Sequence, residues 1–482
     1  MERRADAPGL FGKLAALRQR PFLLTLDRWL HSKWYILTLS ALTAVSALLG
    51  LDLGIYTLFL LLGILISLLS CDLLPLMPVI MLCYVAASRE NNPGRYPGSV
   101  FYPMNGGIYL VTLLAVFFVC LVLRLCFDRE LGGKRFLQTK RSLMPSMLLL
   151  GGAYLLSGIG MDTYGTVMLK NLVFAAIQFF AVFAMYYLFT GGVRWDRAPR
   201  DYLAWIGLSL GFVVLSQLLE NYLSGRIFED GTINRELIAT GWGMHNNVGG
   251  MMAMMLPFAF YLARNRHGWL FNLSGTALLL GVILSCSRGS MLMAGAAYLL
   301  CAMLLLKDPE SRRQNLKVYL MALGGVLAVA IVLLPKLLSV FRLFISQLGN
   351  ISQRDNLLYY GICQFLSEPI FGGSFFPQGS YVPWDWANLD SFSSFFPPRW
   401  HNTLVQILAS CGTVGITAYA IHRYQTLKLF LQRRSRENLF IAISLGVLLC
   451  ASLLDCHFFN VGPVLFYSMA LAVAEKLPQE KI

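Results

Sequence analysis

The chain has 482 residues, of which 57% are hydrophobic and 13% are charged. This composition excludes a soluble globular domain, because such domains carry about twice that share of charged residues. The formal net charge of +14 does not indicate nucleic-acid binding, since the basic residues cluster in short segments between apolar runs. We therefore predict an all-α, polytopic membrane protein whose partner is the lipid bilayer and not nucleic acid.

The apolar runs predict about 14 transmembrane helices, since about 20 such residues cross a bilayer. In chain order the predicted spans are 34–50, 53–70, 73–87, 107–126, 143–160, 166–190, 201–219, 244–262, 269–287, 290–306, 317–335, 402–421, 439–455 and 461–474. The predicted domains are a basic cytoplasmic N-terminus at 1–33, a membrane domain at 34–474 and a cytoplasmic tail at 475–482.

The distribution of basic residues predicts the orientation of these helices. With the N-terminus in the cytoplasm, 29 of the 39 lysines and arginines fall on the inner side, whereas the acidic residues divide almost evenly. This bias is the one that the positive-inside rule requires. The long segment Lys336–His401, of 66 residues, and Arg288 then lie outside. The cytoplasmic segments contain no nucleotide fingerprint, so any chemistry is expected at the outer face.

The ten cysteines are scattered singly, without CxxC spacing and histidine partners. We interpret them as small buried hydrophobic residues and not as metal ligands or a disulfide framework. No metal or other cofactor is expected.

Helical periodicity in the outer segment predicts an interfacial helix near 340–348 and a second helix at 353–367, ended by Pro369 and by Gly372-Gly373. Arg354 lies in the first turn of the second helix, where its charge opposes the helix dipole. It either binds a partner anion or forms a structural ion pair. Two readings also remain for Arg288, which lies in a short turn between spans. In the first, the guanidinium extends to the lipid headgroups without a specific ligand. In the second, its planar set of N–H donors binds the phosphate oxygens of a ligand.

Aromatic residues are dense between the second helix and the next span. They form either an interfacial aromatic belt or a platform on which sugar rings stack. They are Phe371, Phe375, Phe376, Tyr381, Trp384, Trp386, Phe392, Phe395, Phe396 and Trp400.

His401 follows Trp400, and a helix is predicted to start at about Asn402. The positive potential at a helix N-terminus favours a neutral imidazole, which is the form that a general base needs. The alternative is a structural histidine at the membrane interface.

Four stretches at these positions resemble the O-antigen ligase and polymerase family. They are WGMHNNVGGMMAMMLPFAFYLARN from Trp242, LSCSRGSMLMAGAA from Leu284, RDNLLYYGICQFLSEPIFGG from Arg354 and HNTLVQILASCGTVGI from His401. Their order and spacing agree over residues 241–421, which include the outer loop 336–401. The chain departs from the family in reading His245-Asn246-Asn247 where Asn-Pro-Asn is usual. About 14 spans also exceed the usual dozen.

The resemblance implies a membrane-embedded, GT-C-like glycosyltransferase, similar to the RodA-like cell-wall polymerases, acting at the outer face of the bacterial inner membrane. The implied partners are an undecaprenyl-diphosphate-linked glycan donor and a glycan or lipid acceptor. Arg288 and Arg354 would hold the donor diphosphate, and His401 would deprotonate the acceptor hydroxyl. Candidate acceptor or glycan contacts are His245, Asn402, Trp384, Trp386 and Trp400.

The sequence leaves other functions open. A transporter or lipid-linked oligosaccharide flippase would also have many spans, although we find no repeated halves of the kind common in such proteins. A glycan-binding scaffold would leave Arg288 and His401 replaceable. The residues do not distinguish a ligase from a polymerase, since both use the same donor.

Overall fold

The structure is a computed structural model, and most of its described residues are helical. It describes residues 10–87, 107–128, 131–162, 164–229, 232–241, 243–264, 268–309, 311–313, 315–317, 319–320, 324, 352–376 and 399–479. The predicted interfacial helix near 340–348 and most of the predicted span 317–335 lie outside these residues. In the described part, the strands are two short antiparallel pairs. They are Phe228–Glu229 with Thr232–Ile233, and Ala239–Thr240 with Gly243–Met244.

The N-terminal helices are α1 (Leu10–Arg18), α2 (Pro21–Leu30), α3 (Lys33–Leu49), α4 (Asp52–Leu69), α5 (Leu76–Val85), α6 (Gly107–Phe127), α7 (Gly133–Gln138) and α8 (Met144–Leu155). Next come α9 (Tyr164–Phe179), a π-helical turn (Phe180–Ala184), α10 (Met185–Gly192) and α11 (Tyr202–Leu223). The C-terminal helices are α12 (His245–Leu262), α13 (Gly268–Leu284), α14 (Arg288–Lys307), α15 (Ser352–Ser367), α16 (Thr403–Gln432), α17 (Arg436–Ala451) and α18 (Val461–Lys476). Two 3-10 turns cover Arg235–Leu237 and His457–Phe459.

Six helical segments in the described part are long and apolar enough to cross a membrane. They are α4, α6, the segment Val167–Gly192, α11, α14 and α16. The pair α2 and α3 is a seventh candidate, bent by 67°, while α5, α8 and α13 are shorter apolar helices. The protein is therefore a polytopic membrane protein. A helix lies at every predicted span that the structure describes, but the number of about 14 crossings and the GT-C-like arrangement remain predictions.

Helix α12 lies at the centre of the C-terminal half. It packs against α11, α13, α14 and α17, and its residues 248–262 are all buried. A helix that is apolar on all faces is expected to be surrounded by protein or lipid. Gly250 allows the N-terminal half of α12 to approach the loop before α18 closely, because a Cβ there would lie 2.9 Å from the ring of His457.

The N-terminal helices are part of the packed structure. Arg18, in α1, forms an ion pair with Asp128 at 2.6 Å and donates to the carbonyl of Leu68 at 2.8 Å. Arg124, in α6, donates to the carbonyls of Ile66 and Ser70 at 2.9 and 2.7 Å. These arginines therefore bind backbone carbonyl groups at the C-terminal end of α4.

Helix α16 is broken at Gly412, whose φ of 60° and ψ of −154° are not helical. The chain after α15 fills this break. The amide of Thr413 donates to the carbonyl of Pro369, and that of Gly373 donates to the carbonyl of Ala409, both at 2.8 Å. The predicted break at Pro369 and Gly372-Gly373 is confirmed. Part of the predicted outer loop nevertheless packs against the interior of a candidate span.

Phe375 and Phe376 do not belong to an interfacial belt or an exposed platform. Phe375 is fully buried and Phe376 nearly so. The ring of Phe375 contacts Tyr154, Phe174 and Phe459, with centroids 4.9 to 5.9 Å apart. The aromatic-belt prediction was wrong for these two residues, because aromatic content alone does not distinguish a lipid-facing ring from a ring in the core.

Arg423 lies just beyond the predicted span 402–421, but the structure includes it in a longer helix. It lies within α16, which continues to Gln432. Its guanidinium lies 4.4 and 4.3 Å from the ring centroids of Tyr419 and Phe458 and donates to the Tyr467 hydroxyl at 2.8 Å. Cation–π contacts and this hydrogen bond allow a charge to lie inside the helix bundle.

Candidate functional site

A small polar pocket lies where α12, α14 and the loop between α17 and α18 meet. It is lined by Asn246, Ser287, Gly289, Ser290, Ala451, Leu454, Asp455 and His457. The polar residues of two motifs, 245–247 and 287–290, therefore come together with a loop that follows the last of the family-like stretches.

His401 borders this pocket through Asp455. Its Nδ1 lies 3.2 Å from Oδ1 of Asp455, and 41% of its side chain is exposed. An ionised carboxylate only accepts hydrogen bonds, so Nδ1 carries the proton that is donated to Asp455. In a neutral imidazole the other nitrogen, Nε2, is then the proton acceptor.

The electrostatics of the pocket keep Asp455 ionised. Burial acts to raise the pKa of Asp455, but the hydrogen bond from His401 and the nearby charge of Arg399 outweigh it and hold that pKa below its usual value. Burial lowers the pKa of His457 despite the neighbouring carboxylate of Asp455, which favours a neutral ring. One anionic and one neutral side chain therefore line the pocket beside His401.

The backbone at His401 is held in an unusual conformation. Its φ is 52°, in the left-handed region that residues with a Cβ seldom adopt. Asn402 caps α16, because its Oδ1 accepts from the amides of Leu404 and Val405 at 2.9 and 3.2 Å. Its Nδ2 donates to the carbonyl of Leu453 at 3.0 Å. The predicted helix start is confirmed, and the cap fixes the turn that presents His401.

Hydrogen bonds join the motif residues to one another. The Ser287 hydroxyl donates to Oδ1 of Asn246 at 3.0 Å and lies 2.8 Å from the Ser290 hydroxyl. Nδ2 of Asn460 donates to Oδ1 of Asn247 at 3.0 Å. Since these bonds connect the starts of α12 and α14 with the loop before α18, they fix the relative positions of three elements around the pocket.

Arg288 is the first residue of α14, so the structure places it at a helix start and not within the predicted turn. Its side chain is half-buried. The next residue, Gly289, packs against the pocket loop, because a Cβ there would lie 2.8 Å from Cδ1 of Leu454. Arg288 therefore directly precedes a residue that lines the pocket together with Leu454 and Asp455.

Arg354 lies in the first turn of α15, as predicted. This helix packs against α16. Leu357 and Tyr360, one to two turns further along, contact the buried cluster of Trp400 and Val405. The backbone elements that carry Arg288, Arg354 and His401 therefore converge on the turn before α16.

The remaining predicted contacts differ in their surroundings. His245 is buried at the start of α12, with Nδ1 3.9 Å from Oε2 of Glu236. Trp400 is only 2% exposed, so its ring faces protein and not an exposed glycan platform. Trp384 and Trp386 lie outside the described residues.

Sequence reasoning missed Asp455, His457 and Asn460. Asp455 had been included in the apolar span 439–455, which the structure ends at Ala451. The available signal was the short run Asp455 to Asn460, in which polar side chains interrupt two apolar runs at the predicted outer boundary.

Comparison with known protein families gives a match to part of the chain that carries this pocket. Residues 273–420 match the family described as O-antigen ligase. The match contains Arg288, Arg354 and His401 and lies within the predicted region 241–421. The curated proteins give no match. Together with the apolar helices, the family match supports a membrane protein of polysaccharide biosynthesis, with O-antigen ligase-like glycan transfer as its general activity. Residues 273–420 of this chain are thus similar to the O-antigen ligase family.

Proposed function

We propose that the protein transfers or polymerises a glycan from an undecaprenyl-diphosphate-linked donor onto an acceptor hydroxyl. The reaction takes place at the outer face of the bacterial inner membrane. The observation that carries this proposal is the hydrogen bond of 3.2 Å between His401 and Asp455, because it orients a histidine as a proton acceptor beside a polar pocket. The family match favours transfer over transport or scaffolding.

His401 acts as the general base. Nε2 takes the proton of the acceptor hydroxyl while its oxygen bonds to the anomeric carbon of the donor. The bond between that carbon and the diphosphate oxygen breaks, and the diphosphate leaves as an anion. Asp455 holds the imidazole in the required tautomer and stabilises the imidazolium that forms.

Arg288 and Arg354 bind the diphosphate. A guanidinium presents a rigid fork of donors that matches phosphate oxygens. Both arginines lie at helix starts, on elements that converge near His401. Neutralising the leaving diphosphate removes the need to protonate it, so a single histidine suffices for the proton transfer.

His245, Asn402 and the tryptophans Trp384, Trp386 and Trp400 remain proposed contacts with glycan or acceptor. The buried Trp400 and the capping Asn402 would act by supporting the turn at His401. Extended contact with sugar rings falls instead to side chains of the segment between Phe376 and Arg399.

The proposal is tested with purified protein reconstituted in lipid vesicles and supplied with an undecaprenyl-diphosphate glycan. Transfer predicts release of undecaprenyl diphosphate together with a lengthened or acceptor-linked glycan. A flippase would move the donor across the bilayer and leave its glycosidic bond intact. Transbilayer movement with an unbroken donor would overturn the proposal.

The donor site is tested with Arg288→Ala and Arg354→Ala, which we expect to abolish transfer while leaving expression intact. Lysine variants should rescue poorly, because a point charge does not reproduce the bidentate fork. Arg226→Ala is the matched control, since Arg226 lies on the same predicted side and forms an ion pair with Glu220 at 3.5 Å. Wild-type rates in both lysine variants would contradict the diphosphate role.

A further inference from the structure

A second cluster of chemically active side chains lies far from His401 in the sequence, at the predicted cytoplasmic ends of α2 and α4. Asp27 belongs to α2, His31 to the bend between α2 and α3, and Cys71 and Asp72 to the loop after α4. Among the described residues, Asp27, His31 and Cys71 form the one group of three whose ligand atoms all lie within 4.8 Å of one another.

The donor atoms face one another. Nε2 of His31 lies 2.9 Å from Oδ1 of Asp72 and 3.9 Å from Sγ of Cys71. Asp27 and His31 are four residues apart, so they project from the same face of a helical turn. An ion-pair network alone would need the two carboxylates and the histidine, but it gives no role to a thiol directed at the same ring nitrogen.

Further hydrogen bonds fix the orientation of these side chains, as is usual for the ligands of a metal ion. Nδ1 of His31 lies 2.7 Å from the carbonyl oxygen of Asp27, so this nitrogen donates and Nε2 is turned toward the cluster. Metal-binding histidines usually donate their second nitrogen in this way. Oδ1 of Asp27 accepts from the Ser70 hydroxyl at 2.7 Å and from the Cys71 amide at 2.8 Å, and Oδ2 lies 3.7 Å from Nδ1 of His31, so the carboxylate is held beside the histidine.

Asp72 is held in a similar way. Its Oδ1 accepts from the amide of Leu74 at 2.9 Å, and its Oδ2 accepts from the amide of Arg194 at 3.0 Å. The carboxylate is thereby fixed with Oδ1 toward His31. This oxygen lies next to Nε2 of His31 but outside the group of three mutually close donors, so it would complete the site by moving toward a bound ion.

We propose that Asp27, His31, Cys71 and Asp72 bind one zinc ion. A combination of one thiolate sulfur, one imidazole nitrogen and carboxylate oxygens suits four-coordinate zinc and does not suit magnesium or calcium, which prefer oxygen ligands. Binding releases the thiol proton of Cys71 and any proton on Nε2 of His31. The predicted cytoplasmic position keeps the thiol reduced and available.

The ion would join two parts of the N-terminal half. It would connect the bend between α2 and α3 to the loop that follows α4. This loop also receives Arg124, which donates to the carbonyl of Ser70 at 2.7 Å. The site is structural, because all four donors come from the protein and none of them contacts the pocket at His401.

The test uses the full-length protein purified in detergent, stripped with a chelator and then supplied with zinc chloride. We expect about one zinc per chain by mass spectrometry, as a single four-ligand site requires. Cys71→Ser and His31→Gln should each weaken zinc binding by more than the about 10–100-fold typical of an outer-shell change. Cys126→Ser is the matched control, since Cys126 is an exposed thiol in the last turn of α6 and should leave zinc binding unchanged.

Cobalt substitution of the wild type gives a second measurement that does not depend on the folding of the variants. A thiolate ligand predicts a sulfur-to-cobalt charge-transfer absorption that the control variant retains. Absence of that absorption, or of stoichiometric zinc in the wild type, would overturn the proposal. Equal zinc binding by wild type, Cys71→Ser and His31→Gln would do the same.

Discussion

The carboxylate of Asp455 determines which nitrogen of His401 can accept a proton. Replacing it with asparagine keeps a similar shape but removes the charge that stabilises an imidazolium and no longer fixes the tautomer. We expect Asp455→Asn to lower turnover by about 10²–10⁴-fold, as for other carboxylates that orient a catalytic histidine. Donor binding should change little. An unchanged turnover number in the reconstituted transfer assay would exclude the positioning role of Asp455.

The lowered pKa of Asp455 also predicts that the stability of the protein depends on pH. Its pKa in the folded protein lies below the ordinary value of 3.8. Its contribution to stability is therefore fully present above that value and is lost as the pH falls through the lower folded-state pKa. The unfolding temperature of the wild type should exceed that of Asp455→Asn at neutral pH, and the difference should narrow only below about pH 4. A difference that disappears already at pH 6 would contradict this assignment.

At the scale of single residues, an isolated polar or charged side chain beside an apolar run indicates a candidate site residue. Arg288 and His401 were selected for this reason. Asp455 was missed because it lies 54 residues from His401 and ends a run that reads as apolar. The burial of Arg423 was not predicted, because two of its aromatic neighbours, Phe458 and Tyr467, come from a distant part of the chain.

At the scale of elements, the break in α16 depends on Gly412. A Cβ at this position would lie 2.4 Å from the carbonyl oxygen of Ile370, and φ is 60°. We expect Gly412→Ala to destabilise the protein by about 1–3 kcal/mol, the usual cost of a strained backbone conformation. Thermal unfolding of the purified variant measures this loss.

Gly446→Ala provides the matched comparison. Gly446 lies inside α17, and nothing lies within 4 Å of a Cβ built there. Alanine is favoured over glycine in a helix by about 1 kcal/mol, so this variant should be neutral or more stable. Equal loss of stability in the two variants would indicate that the break in α16 is not the cause.

The sequence predicted the individual elements here better than their packing. Pro369 and the glycines after it predict the end of α15, and Asn402 predicts the start of α16. The pairing of this segment with the broken helix could not be predicted, because the hydrogen bonds from Thr413 and Gly373 join residues about 40 positions apart. The residues that end a helix are neighbours in the sequence and can be recognised there. The segment that packs into a broken helix comes from a distant part of the chain and cannot.

At the scale of the whole molecule, the bias in basic residues predicts both termini in the cytoplasm and Lys336–His401 outside. Single cysteines in a cysteine-free background test this orientation. A membrane-impermeant reagent should label Ser380→Cys in intact cells. It should label Arg197→Cys, an exposed position in a predicted inner loop, only after permeabilisation. The reversed pattern would refute the predicted orientation.

The central claim concerns His401 and is tested most directly by the turnover number of wild type and His401→Ala across pH. General base catalysis by one imidazole contributes about 10²–10⁴-fold, so we expect the alanine variant to lose that factor with donor binding nearly unchanged. Wild-type turnover should fall as the pH is lowered, because a protonated imidazole cannot take the proton of the acceptor hydroxyl. This fall should be absent in the variant, since it lacks the imidazole that accepts the proton. Wild-type turnover in His401→Ala would contradict the account.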